Sequence, residues 1–287
     1  MKKVLLILFA CATFACNAQT VTQLFAVGSA VPGGIQELTP FPGNQWKFAG
    51  PLQQGELRIR TTEEHKASAY YLKPKYEDSY IINNGLAFSM ARDTTTSWYV
   101  PVTEERYRFT VNVTSKVLTG ELFTAWNELF VVGGATEIGW ESYIMLPFTR
   151  DPEELCTWEW TGELKNRPEH NEPRRFKLMG QNAWDPKALH PFTADEDVLT
   201  SQYLLTNGTG DNKWQTTKDG YYHIRVDVFR ETIKAEYLGS SVNQTTGIEE
   251  ESMDAKETAP AYNLAGQRIA EGYRGIIIRN GKKQYKR

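Results

Sequence analysis

Residues Leu129 to Trp140 read LFVVGGATEIGW, and Leu24 to Ile35 read LFAVGSAVPGGI. Each is a short apolar run that ends in a glycine turn, the pattern of a strand entering a tight bend. The tract after each copy also recurs. Trp46 opens WKFAGPLQQGELRIR and Trp158 opens WEWTGELKNRPEHNEPRRFKLMG, while Trp98 precedes YRFTVNV and Trp214 precedes YHIRVDV. The offset between copies grows from 105 residues at Leu24 to 112 at Trp46 and 116 at Trp98. The second copy therefore carries insertions, which fall most readily in loops. The chain reads as one module written twice, over residues 20–122 and 123–238.

The alternation of polar and apolar residues sets the fold class. Tyr107, Phe109, Val111 and Val113 alternate with polar neighbours, as do Tyr222, Ile224, Val226 and Val228. Leu57 with Ile59, and Phe176 with Leu178, keep the same period of two. That period puts one face on a core and the other in water, the habit of antiparallel sheets. Gly33-Gly34, Asn84-Gly85, Asn207-Gly208 and Asp219-Gly220 punctuate the runs as turns. No stretch holds a helical period over three turns. The expected architecture is all-β: two tandem immunoglobulin-like β-sandwich modules of about seven short strands each, with a small C-terminal β-hairpin tail.

Bulk properties narrow the function classes. Two modules of roughly 100 to 115 residues can each bury a core without staples. A net charge of −3 argues against nucleic acid, which would want a basic face. Lys2 and Lys3 precede an apolar run, Val4 to Ala15, that is too short to span a bilayer and reads as an export signal within residues 1–18. Cys16-Asn17-Ala18 before Gln19 suits ordinary signal cleavage. Cleavage before Cys16 or Cys11, with lipidation of that cysteine, is the other reading. With Cys11 and Cys16 in that segment, Cys156 is left as a single thiol without a disulfide partner.

The order of apolar strand, V-G-[SG]-A, glycine turn with Trp, W-x-[FW]-x-G-x-L and then [FK]-K-[FL] resembles the SusE/SusF family of bacterial surface starch-binding proteins. The carriers are Val132-Gly133-Gly134-Ala135, Gly139-Trp140, Trp158 through Leu164, and Phe176-Lys177-Leu178. The resemblance covers both modules, about Thr20 to Leu238. It implies display on the outer membrane and non-catalytic binding of α-glucan-type polysaccharide beside a surface glycan-import complex.

The residues offer a matching chemistry. A sugar ring presents an apolar face of C–H groups that packs on an indole, and its hydroxyls bond to amides and cations. Trp140 follows the glycine turn, and Lys177, Gln181, Asn182 and Trp184 lie within eight residues of one another. These five form the candidate carbohydrate site, although Lys177 also reads as the solvent-facing residue of a strand. In the first module Ile35 stands where Trp140 would, and Tyr70 with Tyr71 offers another platform. Trp46, Trp98, Trp158, Trp160 and Trp214 sit in strand-like runs and read as packing. No nucleophile elbow, P-loop, zinc-helix or dinucleotide fingerprint occurs, and the four histidines follow no metal-ligand spacing. Asp195-Glu196-Asp197 lacks the spacing of a calcium loop and reads as a solvated acidic turn. The chain is read as no enzyme and as needing no cofactor. A structural or adhesive surface protein that binds another protein is the alternative.

Beyond the second module, residues 239–260 turn polar and acidic around Glu249-Glu250-Glu251 and read as a linker. In residues 261–287, Y-N-L-x-G-x-R and then G-I-x-I-x-N-G-K-K resemble the C-terminal sorting tails of proteins secreted by the type IX route. That resemblance implies passage across the outer membrane. Any membrane attachment would then run through the lipid or the tail. Here Ile276-Ile277-Ile278 and Lys282 to Tyr285 flank Asn280-Gly281 as a hairpin.

Overall fold

The computed structural model describes residues 21–77, 79–184, 187–206, 210–240, 261–263, 268–269, 275–279 and 282–286. The export signal, the linker from 241 onward, and the expected turns at Asn207-Gly208 and Asn280-Gly281 lie outside the described residues. The described chain is all-β, without a helix.

Pairing among the strands between Phe25 and Leu122 stays within that span, and so does pairing between Phe130 and Gly239. In the N-terminal sandwich nine of eleven strands form one path, with Ser79–Tyr80 and Trp98–Val100 pairing off it. Asn83–Ala91 pairs with Tyr71–Pro74 on one side and Val117–Leu122 on the other, so the sheet folds over on itself. One layer holds Phe25–Val27, Gly55–Arg60 and Trp98–Val100; the other holds Gln45–Leu52, Glu104–Asn112 and Val117–Leu122. The C-terminal sandwich divides the work between a six-stranded sheet and a four-stranded one. These exceed about seven strands per module because two- and three-residue segments, such as Ser79–Tyr80 and Glu196–Asp197, pair at the sheet edges where alternation is too short to read.

The recurring residues take matching places. Leu57 pairs with Trp98 as Phe176 pairs with Trp214, and Trp46 pairs with Val111 as Trp158 pairs with Val226. Trp98 and Trp214 are fully buried. Tyr107 and Tyr222 are buried too, and each phenol donates to a carbonyl a few residues upstream, Val102 at 2.6 Å and Lys218 at 2.7 Å. That tie pins a strand at the sandwich corner, as in immunoglobulin-like folds.

Asn84-Gly85 is not a hairpin turn. It lies inside Asn83–Ala91, where pairing slips between Leu118↔Leu86 and Gly120↔Asn83. The extra residue makes a bulge, and Gly85 adopts the φ of +122° that the bulge needs. In the tail, Gly275–Arg279 pairs antiparallel with Lys282–Lys286, and Tyr262 bridges both Arg268 and Ile278.

The two sandwiches meet across a buried polar joint. Arg108 donates to the Val228 carbonyl at 3.0 Å and to Thr206 at 2.9 Å, and Lys47 pairs with Glu231. Phe41 packs on Tyr203 with ring centroids 4.3 Å apart.

Candidate functional site

The turn after Phe130–Val132 is built by backbone bonds around its glycines. Gly133 donates to the Gly139 carbonyl at 2.9 Å, and Gly139 takes φ of +63°, which swings the chain outward at Trp140. Residues 165–174 lie against this turn. The indole of Trp140 donates to the Asn171 carbonyl at 2.7 Å, and His170 donates through Nδ1 to the Gly134 carbonyl at 3.2 Å. Trp140 is therefore half-buried and fixed in direction.

A second loop comes after Arg175–Met179. The Gln181 amide closes it, bonding to the Ala183 carbonyl and to both backbone groups of Lys187, each at 3.2 Å. Asn182 reaches across instead. Its Nδ2 donates to the Tyr143 carbonyl at 2.9 Å, and its Oδ1 accepts from the Met145 N–H at 3.1 Å. Tyr143 needs that support, because it sits at φ of +68°, where a side chain costs about 1–2 kcal/mol. Its ring is 75 % exposed.

These two loops bring Trp140 and Trp184 together, with ring centroids 6.3 Å apart and planes 33° from parallel. Of the eight tryptophans, Trp46, Trp98, Trp126, Trp158, Trp160 and Trp214 are buried. Trp184 is 45 % exposed.

A polar rim borders the pair. The Lys213 ammonium lies 5.6 Å from the Trp140 ring centroid and 3.5 Å from Glu172. Lys177 and Lys213 both pair with Asp211. Partial burial pushes the Asp211 carboxyl up, but hydrogen bonds from the two lysines outweigh it and hold the group below its usual range.

The five residues singled out in the sequence thus take different places. Trp140 and Trp184 face each other. Lys177 leans on Asp211 from its strand, Gln181 is spent on its own loop, and Asn182 holds the neighbouring loop with one amide hydrogen still to give. Sequence reading missed Tyr143, Lys213 and Asp211. Lys213 had a signal, since it directly precedes the recurring Trp214, whereas Asp211 had none.

The N-terminal sandwich builds no such pair at the matching place. Ile35 replaces Trp140, Tyr71 is buried with its hydroxyl sharing a 2.6 Å hydrogen bond with His65, and Tyr70 lies half-buried under Arg92. Tyr70 and Tyr71 therefore do not form the shared platform that their adjacency suggested. Cys156 is buried, and burial pushes its thiol up, away from a nucleophile's range. Among the described residues no three His, Cys, Asp or Glu side chains gather as metal ligands.

No family profile matches the chain, and no curated protein matches it. Among solved structures it is similar to the crystal structure of SusF from Bacteroides thetaiotaomicron. The TM-score is 0.37 and the identity 11 %, over 75 % of this chain and 48 % of that one. The chain spans about half the length of that protein.

Proposed function

We propose that the chain is a non-catalytic glycan-binding protein of the cell surface, with starch or another α-glucan as the favoured ligand. The observation that carries the reading is the paired, mutually tilted rings of half-buried Trp140 and exposed Trp184 in a chain whose other six tryptophans are buried. Indole surface left in solvent loses the stabilisation of burial, so an exposed Trp184 beside the anchored Trp140 and the lysines is a feature that a ligand rationalises. In this reading Trp140 and Trp184 carry the sugar rings. Lys177 and the second amide hydrogen of Asn182 address hydroxyls, and Gln181 keeps the second loop in shape. Lys213 joins them. The two-module division at 20–122 and 123–238, the export signal and the sorting-like tail support surface display, beside a glycan-import complex.

Native electrophoresis in gels containing starch, pullulan, dextran, xylan or mannan tests this. The wild-type protein is expected to be slowed by one of them. Trp140→Ala should lose about 1–3 kcal/mol of binding, by analogy with a base stacked on an aromatic ring, enough to abolish the retardation. Free mobility of the wild type in every gel would overturn the reading and favour the adhesive alternative.

Binding should also be level from about pH 8 to pH 5, because the rim turns on Asp211 rather than on a histidine. A carboxyl held below its unfolded value contributes above that value and fades as pH falls through the folded one. Affinity should therefore decline only on the acid side of the ordinary carboxylate range. A decline already complete above that range would show that a group other than Asp211 governs the rim.

A further inference from the structure

The N-terminal sandwich lacks the tryptophan pair, yet it displays aromatic rings elsewhere. Ser79–Tyr80 pairs in parallel with Trp98–Val100, aligning Tyr80 with Tyr99. Ser79, Trp98 and Val100 are buried, so the alternation turns both tyrosines outward. Tyr80 is 54 % exposed, and the two rings stand 5.8 Å apart at 66°. They form the two walls of a corner rather than a flat platform.

Polar groups line the same face. The Gln54 amide donates to the Tyr99 hydroxyl at 3.0 Å. Glu56 is the cross-strand partner of Tyr99 and pairs with Arg58 at 2.8 Å, while Leu57 between them is buried. Amide, carboxylate and guanidinium thus border an exposed and a half-buried ring, the mixture that orients a polyhydroxylated ring against an aromatic wall.

The C-terminal sandwich has the same parallel pairing, between Glu196–Asp197 and Trp214–Gln215, and there Asp197 and Gln215 take the places of Tyr80 and Tyr99. Asp197 accepts hydrogen bonds from Leu199 and Thr217, as a loop-stabilising carboxylate does. The two sandwiches therefore expose rings at different positions on comparable scaffolds. The fold itself asks for no ring at either place.

We propose that Tyr80 and Tyr99, with Gln54, Glu56 and Arg58, form a second glycan site, separate from the Trp140–Trp184 pair. The proposal rests on the reading of the chain as a glycan binder. Its corner shape suits the edge and one face of a single sugar unit, so the site is the weaker of the two. The joint through Lys47, Glu231 and Arg108 ties the two sandwiches together, so a polysaccharide long enough to reach both sites would gain by effective concentration.

Amide chemical shifts followed during titration with maltoheptaose separate the two sites by residue. The wild type is expected to shift at Trp140, Tyr143 and Lys213, and also at Gln54, Glu56, Tyr80 and Tyr99. The Trp140→Ala variant should keep only the second set, and Trp140→Ala with Tyr80→Ala should keep neither. Tyr80 is exposed, so its replacement should leave the melting temperature unchanged. Shifts confined to the Trp140 set would overturn the second site and leave the proposed function standing. Silence in both sets would overturn both together. A gain with Tyr80→Trp, read as a steeper titration of the second set alone, would support the corner as the point of contact.

Discussion

Glu231→Ala is expected to destabilise the folded chain by about 3–5 kcal/mol, the usual cost of removing one partner from a buried ion pair. Glu231 is 4 % exposed, lies between the two sandwiches and meets four groups. It pairs with Lys47, stands 3.6 Å from Arg108, and its Oε1 accepts from the Thr206 N–H at 2.9 Å and hydroxyl at 2.6 Å. Alanine leaves all four without that carboxylate in a place water reaches poorly. It also keeps a side chain at φ of +56°, where strain remains without the compensating bonds. Burial and the nearby Arg108 already pull the Lys47 ammonium down to about 7, against the pull of Glu121. Without Glu231 it falls further. The unfolded chain then holds a proton that the folded chain has shed, so stability rises with pH between that lowered value and about 10.5. The deficit of the variant should accordingly be larger at about pH 6 than at about pH 9. Urea unfolding at the two pH values measures both. A loss below about 1 kcal/mol at either would mean that the joint is wet and contributes no more than a surface pair. Lys47→Met combined with Glu231→Gln should recover much of the loss, since it removes the stranded charge along with its partner.

How far the sequence spoke depended on whether local periodicity or long-range contact decided a feature. Tyr107, Phe109 and Val111 announced a strand because alternation is a local property of sheet burial. Trp46, Trp98, Trp158, Trp160 and Trp214 read as packing for the same reason, and all five are buried. Asn84-Gly85 misled because an Asn-Gly pair serves a bulge as well as a turn, and only the pairing register separates the two. At the candidate site the rings were legible, since a tryptophan beside glycine or in a polar loop has no periodic partner. The roles of Gln181 and Asn182 were not. An amide in a loop reads the same whether it waits for a ligand or braces a neighbour, and the partner of Asn182 stands 39 residues away at Tyr143. The joint was invisible for a similar reason. Lys47 and Arg108 look like outward residues of amphipathic strands until a second sandwich covers them.

Gly134→Ser should unseat Trp140 without touching it. A Cβ at Gly134 would lie 2.3 Å from the carbonyl oxygens of both Asn171 and Glu172. Both are backbone atoms, so segment 171–172 has to move. The Asn171 carbonyl is the acceptor of the Trp140 indole, and Glu172 carries Lys213 and Arg175 on its carboxylate. Moving them disturbs the ring and the rim together. The N-terminal sandwich shows why the serine is acceptable elsewhere. Ser29 holds the matching place, with its hydroxyl accepting from the Glu56 N–H at 3.0 Å. There only residues 53–54 connect Gln45–Leu52 to Gly55–Arg60, whereas residues 165–174 connect Thr157–Leu164 to Arg175–Met179. The longer connection needs the space that the missing side chain leaves. Overpacking against backbone is expected to cost about 3 kcal/mol of stability, at the upper end for small-to-large changes. Glycan retardation should fall as far as it does in Trp140→Ala. The decisive comparison is the double variant. If the serine acts through the indole, Gly134→Ser adds nothing to the binding defect of Trp140→Ala, while its stability cost persists. Additive losses of binding would show that the turn reaches the ligand by another route, and wild-type binding in Gly134→Ser would show that the 165–174 segment does not hold Trp140 in place.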